Sequence, residues 1–166
     1  MTRRFALPIR PTALTALALL LGAFATGRIS AVHAQSEPLQ DLTTFPRATL
    51  EIVSGATTHR FSVWIADTPA RQTQGLMFVR DLSADQGMVF TQCCSGIWMK
   101  NTYIELDIVF VGPDKRISRI AERARPFDET TIPAGGPVLA TIELRGGEAA
   151  TLKLKPGDKV SWTDSH

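Results

Sequence analysis

The stretch Gly87–Val111, GMVFTQCCSGIWMKNTYIELDIVFV, decides how the chain is read. Its ends are apolar. Met88-Val89-Phe90 reads as a short strand, and Ile104, Leu106, Ile108 and Phe110 share one face of a second strand. Glu105, Asp107, Val109 and Val111 take the opposite face. Between the ends lie Cys93-Cys94 and the run Trp98-Met99-Lys100-Asn101-Thr102, in which an aromatic ring, an ammonium and an amide stand close together. Ile97–Asn101 is expected to be extended, with Trp98, Lys100 and Thr102 on one side and Met99 and Asn101 on the other. Two core strands flanking a polar and aromatic link predict a β-rich fold with its site in the link.

The same alternation extends outward. Ala48, Leu50 and Ile52, then Phe61, Val63 and Ile65, mark two strands joined at Ser54-Gly55-Ala56-Thr57-Thr58, a hairpin. Asp67-Thr68-Pro69 starts a short helix over Pro69 to about Gln74 or Met77, because a capping side chain precedes a proline whose missing N–H costs nothing there. Gly75 ends it. Downstream, Gly112-Pro113-Asp114-Lys115 turns the chain into a returning strand over Arg116–Glu122, and Arg123–Pro137 reads as a long surface connection. Val138, Ala140, Ile142 and Leu144 mark another strand. A short helix within Gly146–Leu154 and a last strand at Lys159–Trp162 complete the chain. The expected class is mostly β (α+β), a compact small β-barrel-like domain with one or two short helices, closure removing exposed strand edges.

Residues 1–34 are read as a signal peptide: a basic start, an apolar run Ala13–Ala25, and small residues in Val32-His33-Ala34. A membrane span needs roughly 20 apolar residues, so no span is expected after cleavage. Residues 35–46 read as a flexible leader and 47–163 as one β-rich domain, periplasmic or secreted. The chain has 18 basic and 16 acidic residues; four arginines and no acid lie in residues 1–34, which leaves 14 basic and 16 acidic, a formal net charge of −2. The basic balance therefore belongs to the signal, and nucleic acid is not an expected partner.

Several ordered motifs carry a family likeness. Arg71-x-x-x-Gly75-Leu76-Met77-x-x-Arg80, Gly87-Met88-x-Phe90, Trp98-Met99-Lys100-Asn101-Thr102, Leu106-Asp107-Ile108-Val109-Phe110, and the closing Glu143-Leu144 … Gly147 … Lys155-Pro156-Gly157-Asp158-Lys159-Val160 together resemble the domain of unknown function 192 family (UPF0127). The likeness spans Ala48–Trp162. It implies a compact β-rich domain, often exported, and implies no activity. The chain departs from the pattern at Thr91-Gln92-Cys93-Cys94-Ser95-Gly96, so the cysteines stand outside the resemblance.

Candidate chemistry is sparse. Cys93 and Cys94 are the only cysteines. In an oxidising compartment they pair with each other, pair between chains or stay free, and a vicinal disulfide would be a candidate redox switch. The plainer reading is a static pair. No Cys–His nucleophile, zinc spacing, nucleophile elbow, Walker loop or dinucleotide fingerprint is present, and no cofactor or metal is expected. Glu105 and Asp107 at i, i+2 suggest a carboxylate pair for glycoside-type hydrolysis, set against a solvated strand face or ion pairing. Asp107, between Leu106 and Ile108, would need a partner if buried. Trp98, Lys100 and Asn101 form the kit of a small polar-ligand site, with Asp107, Arg71 and Arg80 as further candidates; packing is the plainer fate of each. The leading expectation is a non-enzymatic exported domain that binds a small polar molecule or a cell-envelope component near Trp98–Asn101. An envelope hydrolase using Glu105 and Asp107 and a purely structural or assembly domain are the alternatives.

Overall fold

The computed structural model describes residues 39–164; the signal-peptide reading, and the start of the leader, lie outside the described residues. The described residues form nine strands, numbered in chain order. The long ones are β1 (Arg47–Ser54), β2 (Thr57–Ala66), β3 (Gln86–Thr91), β5 (Leu106–Val111), β6 (Ile117–Ala124), β8 (Ala140–Arg145) and β9 (Lys159–Asp164). They form one curled sheet in the order β6-β5-β8-β3-β2-β1-β9. The two edge strands approach at one end, where an antiparallel bridge joins Arg116 to Lys159. The sheet is thus a half-barrel caught near closure, and a mostly β, barrel-like domain is what the alternation predicted. Among the described residues no helix is long and apolar enough to cross a membrane.

Each face of the sheet carries its own core. All seven strands contribute to the enclosed one, through residues such as Leu50, Val63, Val89, Val109, Ile117, Ile142 and Val160. The other face, carrying Met88, Phe90, Leu106, Ile108 and Phe110, is covered by Leu76, Leu82, Ile97 and Met99. Strand β5 is consequently buried along its whole length. The cover comes from the connection between β2 and β3, which carries Leu76 and Leu82, and from the segment after β3, which carries Ile97 and Met99. Strands β2 and β3 are parallel, so the chain must cross over between them, and the crossover carries helix α1 (Pro69–Gln74).

Helix α1 starts as the sequence dictates: the Thr68 side chain accepts the Arg71 N–H at 3.3 Å, and Pro69 occupies the first helical position. It stops at Gly75, whose φ of 50° and ψ of −137° suit glycine alone. Helix α2 (Glu148–Thr151) follows β8 and has no capping side chain of its own at Gly147. The described end of the leader is packed rather than loose: a 3-10 turn spans Leu42–Thr44, Phe45 is buried, and Gln40 exchanges two backbone bonds with the Gln74 side chain.

Three local expectations change. The long connection after β6 begins only at residue 125, and a two-residue ribbon of β4 (Gly96–Ile97) with β7 (Ile132–Pro133) interrupts it. Strand β5 starts at Leu106, so Ile104 and Glu105 precede it. The extended segment expected through Asn101 ends after Ile97: the chain turns at Lys100 and Asn101, with Asn101 at a φ of 54°. Phe78 N–H donates to the Asn101 carbonyl at 2.9 Å, which ties this turn to the end of the α1 crossover.

Candidate functional site

That tie brings two segments together to make a cleft. Its inner part is a pit of about 80 Å³, walled by α1 and its exit, by Phe90, by Cys94 and by the 96–102 segment. It adjoins a groove of about 760 Å³ lined by residues that include Leu39, Pro69, Met77, Phe78 and Asn101. Thr73, Gln74, Met77, Trp98 and Lys100 line both.

Trp98 stands at the junction and is 43 % exposed, against the habit of tryptophan. Lys100 Nζ lies 5.0 Å from the centre of the Trp98 ring, a cation–π contact. Met99, between them, is fully buried and anchors the segment, with its N–H donating to the Asp128 carbonyl at 2.8 Å. Trp98 and Lys100 therefore share a wall although the segment is not a regular strand. Asn101 lines the groove, its side-chain amide 3.9 Å from Met77 Sδ.

Glu143, which the sequence marks only as part of the closing motif and not as a site candidate, lies in the pit. It sits on β8 between Met88 of β3 and Ile108 of β5, facing the second core, and is 5 % exposed. Burial pushes its carboxyl from the ordinary 4.5 up to about 8, opposed by a hydrogen bond from the Leu76 N–H. Oε2 has no hydrogen-bond partner. The missed signal was the strand itself: Ala140, Ile142 and Leu144 account for one buried face, and the opposite face, with Thr141 and Glu143, is buried too.

Of the other candidates, Asp107 does not reach the cleft. It is wholly buried on the enclosed face and accepts three backbone N–H bonds: Oδ1 from Arg123 at 2.8 Å and Gly147 at 3.0 Å, Oδ2 from Ala149 at 2.8 Å. It caps α2 from a distant strand, supplying the acceptor that Gly147 lacks. Glu105 is exposed and pairs with Arg123 at 2.8 Å. The glycoside-type reading falls with this geometry, because a carboxylate committed to three amides and closed to solvent cannot serve a substrate.

Neither arginine lines the cleft. Arg71 pairs with Asp67 at 2.7 Å, donates to the Thr44 carbonyl at 3.0 Å and covers the Phe45 ring, so it fastens the N-terminal turn to α1. Arg80 lies over the Tyr103 ring at 4.5 Å, beside contacts of Tyr103 with Phe78 and Phe127. Cys93 and Cys94 are joined to each other, and Cys94 forms part of the pit wall. The Cys94 carbonyl accepts the Thr141 hydroxyl at 2.9 Å, which moors the disulfide loop to β8.

Comparison with known proteins gives the same fold without an activity. A crystal structure of a protein of unknown function from Novosphingobium aromaticivorans DSM 12444 is 41% identical, with a TM-score of 0.71, covering 75% of this chain and 91% of that one. A second, from Sinorhizobium meliloti 1021 and described as a candidate transcription regulator, is 32% identical with a TM-score of 0.67, covering 71% and 95%. No curated protein is significantly similar. The family model DUF192 (Uncharacterized ACR, COG1430) matches residues 50–162. The chain belongs to the DUF192 family.

Proposed function

We propose that this domain is an exported, non-enzymatic binding domain that holds a small ligand with a polar group in the cleft beside Trp98, Lys100 and Asn101. One observation carries the reading: an exposed tryptophan stands where a pit with a buried carboxyl meets a largely apolar groove. Binding sites pair apolar walls with a few convergent polar groups, and this cleft has that composition. Export is supported by the basic and apolar pattern of residues 1–34.

The test is a thermal-shift screen of the purified protein against sugars, cell-wall fragments and small anions and cations. The reading predicts at least one compound that raises the melting temperature, with the rise abolished in Trp98→Ala and reduced in Lys100→Ala. A screen without a hit, or a hit indifferent to both substitutions, overturns it. A second reading, assembly with an envelope partner, is favoured by Phe78 and Phe127, which are 42 % and 56 % exposed around Tyr103. It predicts that Phe127→Ser lowers association seen by light scattering and leaves the thermal-shift hit intact.

A further inference from the structure

Among the described residues, two buried side-chain polar atoms lack a hydrogen-bond partner, Arg71 Nε and Glu143 Oε2. The Arg71 guanidinium is occupied by Asp67 and Thr44 away from the cleft. Glu143 Oε2 belongs to a pit-lining side chain. The uncharged polar side chains at the pit are committed, and Lys100 lies over the Trp98 ring. Gln72 Nε2 donates to the Ala66 and Thr91 carbonyls, Gln74 bonds both backbone groups of Gln40, and the Thr102 hydroxyl donates to the Lys100 carbonyl. With Glu143 ionised, the pit therefore presents one buried acceptor without a partner and, apart from the Lys100 ammonium on its wall, no unpartnered donor. It also has an aromatic wall that already attracts a cation, since Lys100 lies over Trp98.

Resting on the cleft-binding reading above, we infer that the pit takes the primary ammonium group of an aliphatic ligand, with Glu143 as counter-ion. The ligand's chain lies along the groove past Met77 and Phe78. An ammonium supplies the hydrogen-bond donor that Oε2 lacks and offsets the cost of a carboxylate in an apolar enclosure. Gly75 keeps the approach open, because a Cβ there would lie 3.6 Å from Oε2.

The groups facing Glu143 are few. Lys100 is the one other charged side chain lining the pit, and it makes no ion pair with Glu143. Helix α1 contributes Gln72 and Gln74, β3 contributes Met88 and Phe90, β5 contributes Ile108, and the Cys93–Cys94 disulfide does not titrate. Burial pushes Glu143 up to about 8, so near neutral pH the free protein holds a proton on it. On binding, that proton leaves to solvent and the ligand ammonium pairs with the carboxylate. Apparent affinity then rises about tenfold per pH unit below the Glu143 value and levels off above it.

Isothermal titration of the full chain with hexylamine, hexanoate and hexanamide, in buffers of different ionisation enthalpy, tests this. Hexylamine is expected to bind alone of the three, releasing close to one proton per ligand at about pH 7. Glu143→Gln is expected to weaken it at least tenfold, roughly the value of one charge-assisted bond, and to abolish the pH dependence. Preference for hexanoate or hexanamide, affinity that falls as pH rises, or hexylamine binding indifferent to Glu143→Gln each overturn the inference. Should Glu143→Gln not fold, the proton count and pH profile of the unaltered protein decide it. A ligand from the thermal-shift screen that depends on Trp98, with no response to hexylamine, defeats the ammonium assignment and leaves the cleft reading standing.

Discussion

Gly75 stands over Glu143: a Cβ built on Gly75 would lie 3.6 Å from Glu143 Oε2 and 3.1 Å from Phe90 Cζ. The end of α1 and the middle of β8 meet here through a bare backbone, at a φ of 50°. Gly75→Ala is therefore expected to cost about 1–3 kcal/mol, from backbone strain and the push against Phe90. Urea denaturation checks it, and a loss within error of zero would mean that the crossover relaxes freely.

Glu143 makes stability depend on pH in a defined window. Its carboxyl is raised in the fold from 4.5 to about 8, so between these values the folded state keeps a proton that the unfolded state has lost. Its contribution is whole below the lower value, declines as pH rises, and is gone above the upper one. The slope attributable to it approaches about 1.4 kcal/mol per pH unit within the window. Comparing melting curves of the unaltered protein and Glu143→Gln isolates it: the stability of the unaltered protein relative to the variant should fall as pH rises from about 4.5 to about 8. A constant difference would show that Glu143 titrates normally.

Asp107 and Glu105 should separate sharply. Asp107→Ala strands three N–H groups, two of them buried, and uncaps α2, for a loss of about 3 kcal/mol or more. Glu105→Ala removes an exposed ion pair and should cost less than about 1 kcal/mol. Chemical denaturation of both variants measures this. Equal losses would contradict the capping role.

Cys93 and Cys94 are joined, so alkylation of the unfolded, non-reduced protein should label neither, and labelling after reduction should mark both. Mass spectrometry reads the result directly. Labelling without reductant would show that the pair is open as isolated. Because Cys94 forms part of the pit wall, reduction is also expected to change ligand affinity.

The parts of the fold that rest on local chemistry were legible in the sequence. The hairpin of β1 and β2 follows from alternation, and α1 runs over Pro69–Gln74 because Thr68, Pro69 and Gly75 mark both its ends. The site was legible in half. Trp98, Lys100 and Asn101 do converge on one cleft, yet through a turn that simple alternation does not describe. Asp107 drew notice as a carboxylate in an apolar strand, but its partners, Gly147 and Ala149, lie about 40 residues away in the chain. Glu143 was hidden for a similar reason. The segment that covers its face of β8 comes from residues 72–102, and alternation alone cannot distinguish a covered polar face from a wet one.

The most direct measurement is backbone amide NMR of the protein during titration with hexylamine at about pH 9, where Glu143 is largely ionised and the amine still charged. The account predicts saturable shifts concentrated at Gly75, Leu76, Met77, Trp98 and Lys100, with the Asp107-capped end of the domain at Gly147 and Ala149 unmoved. Saturable shifts centred elsewhere, or none at all, would contradict the placing of an ammonium group in the Glu143 pit.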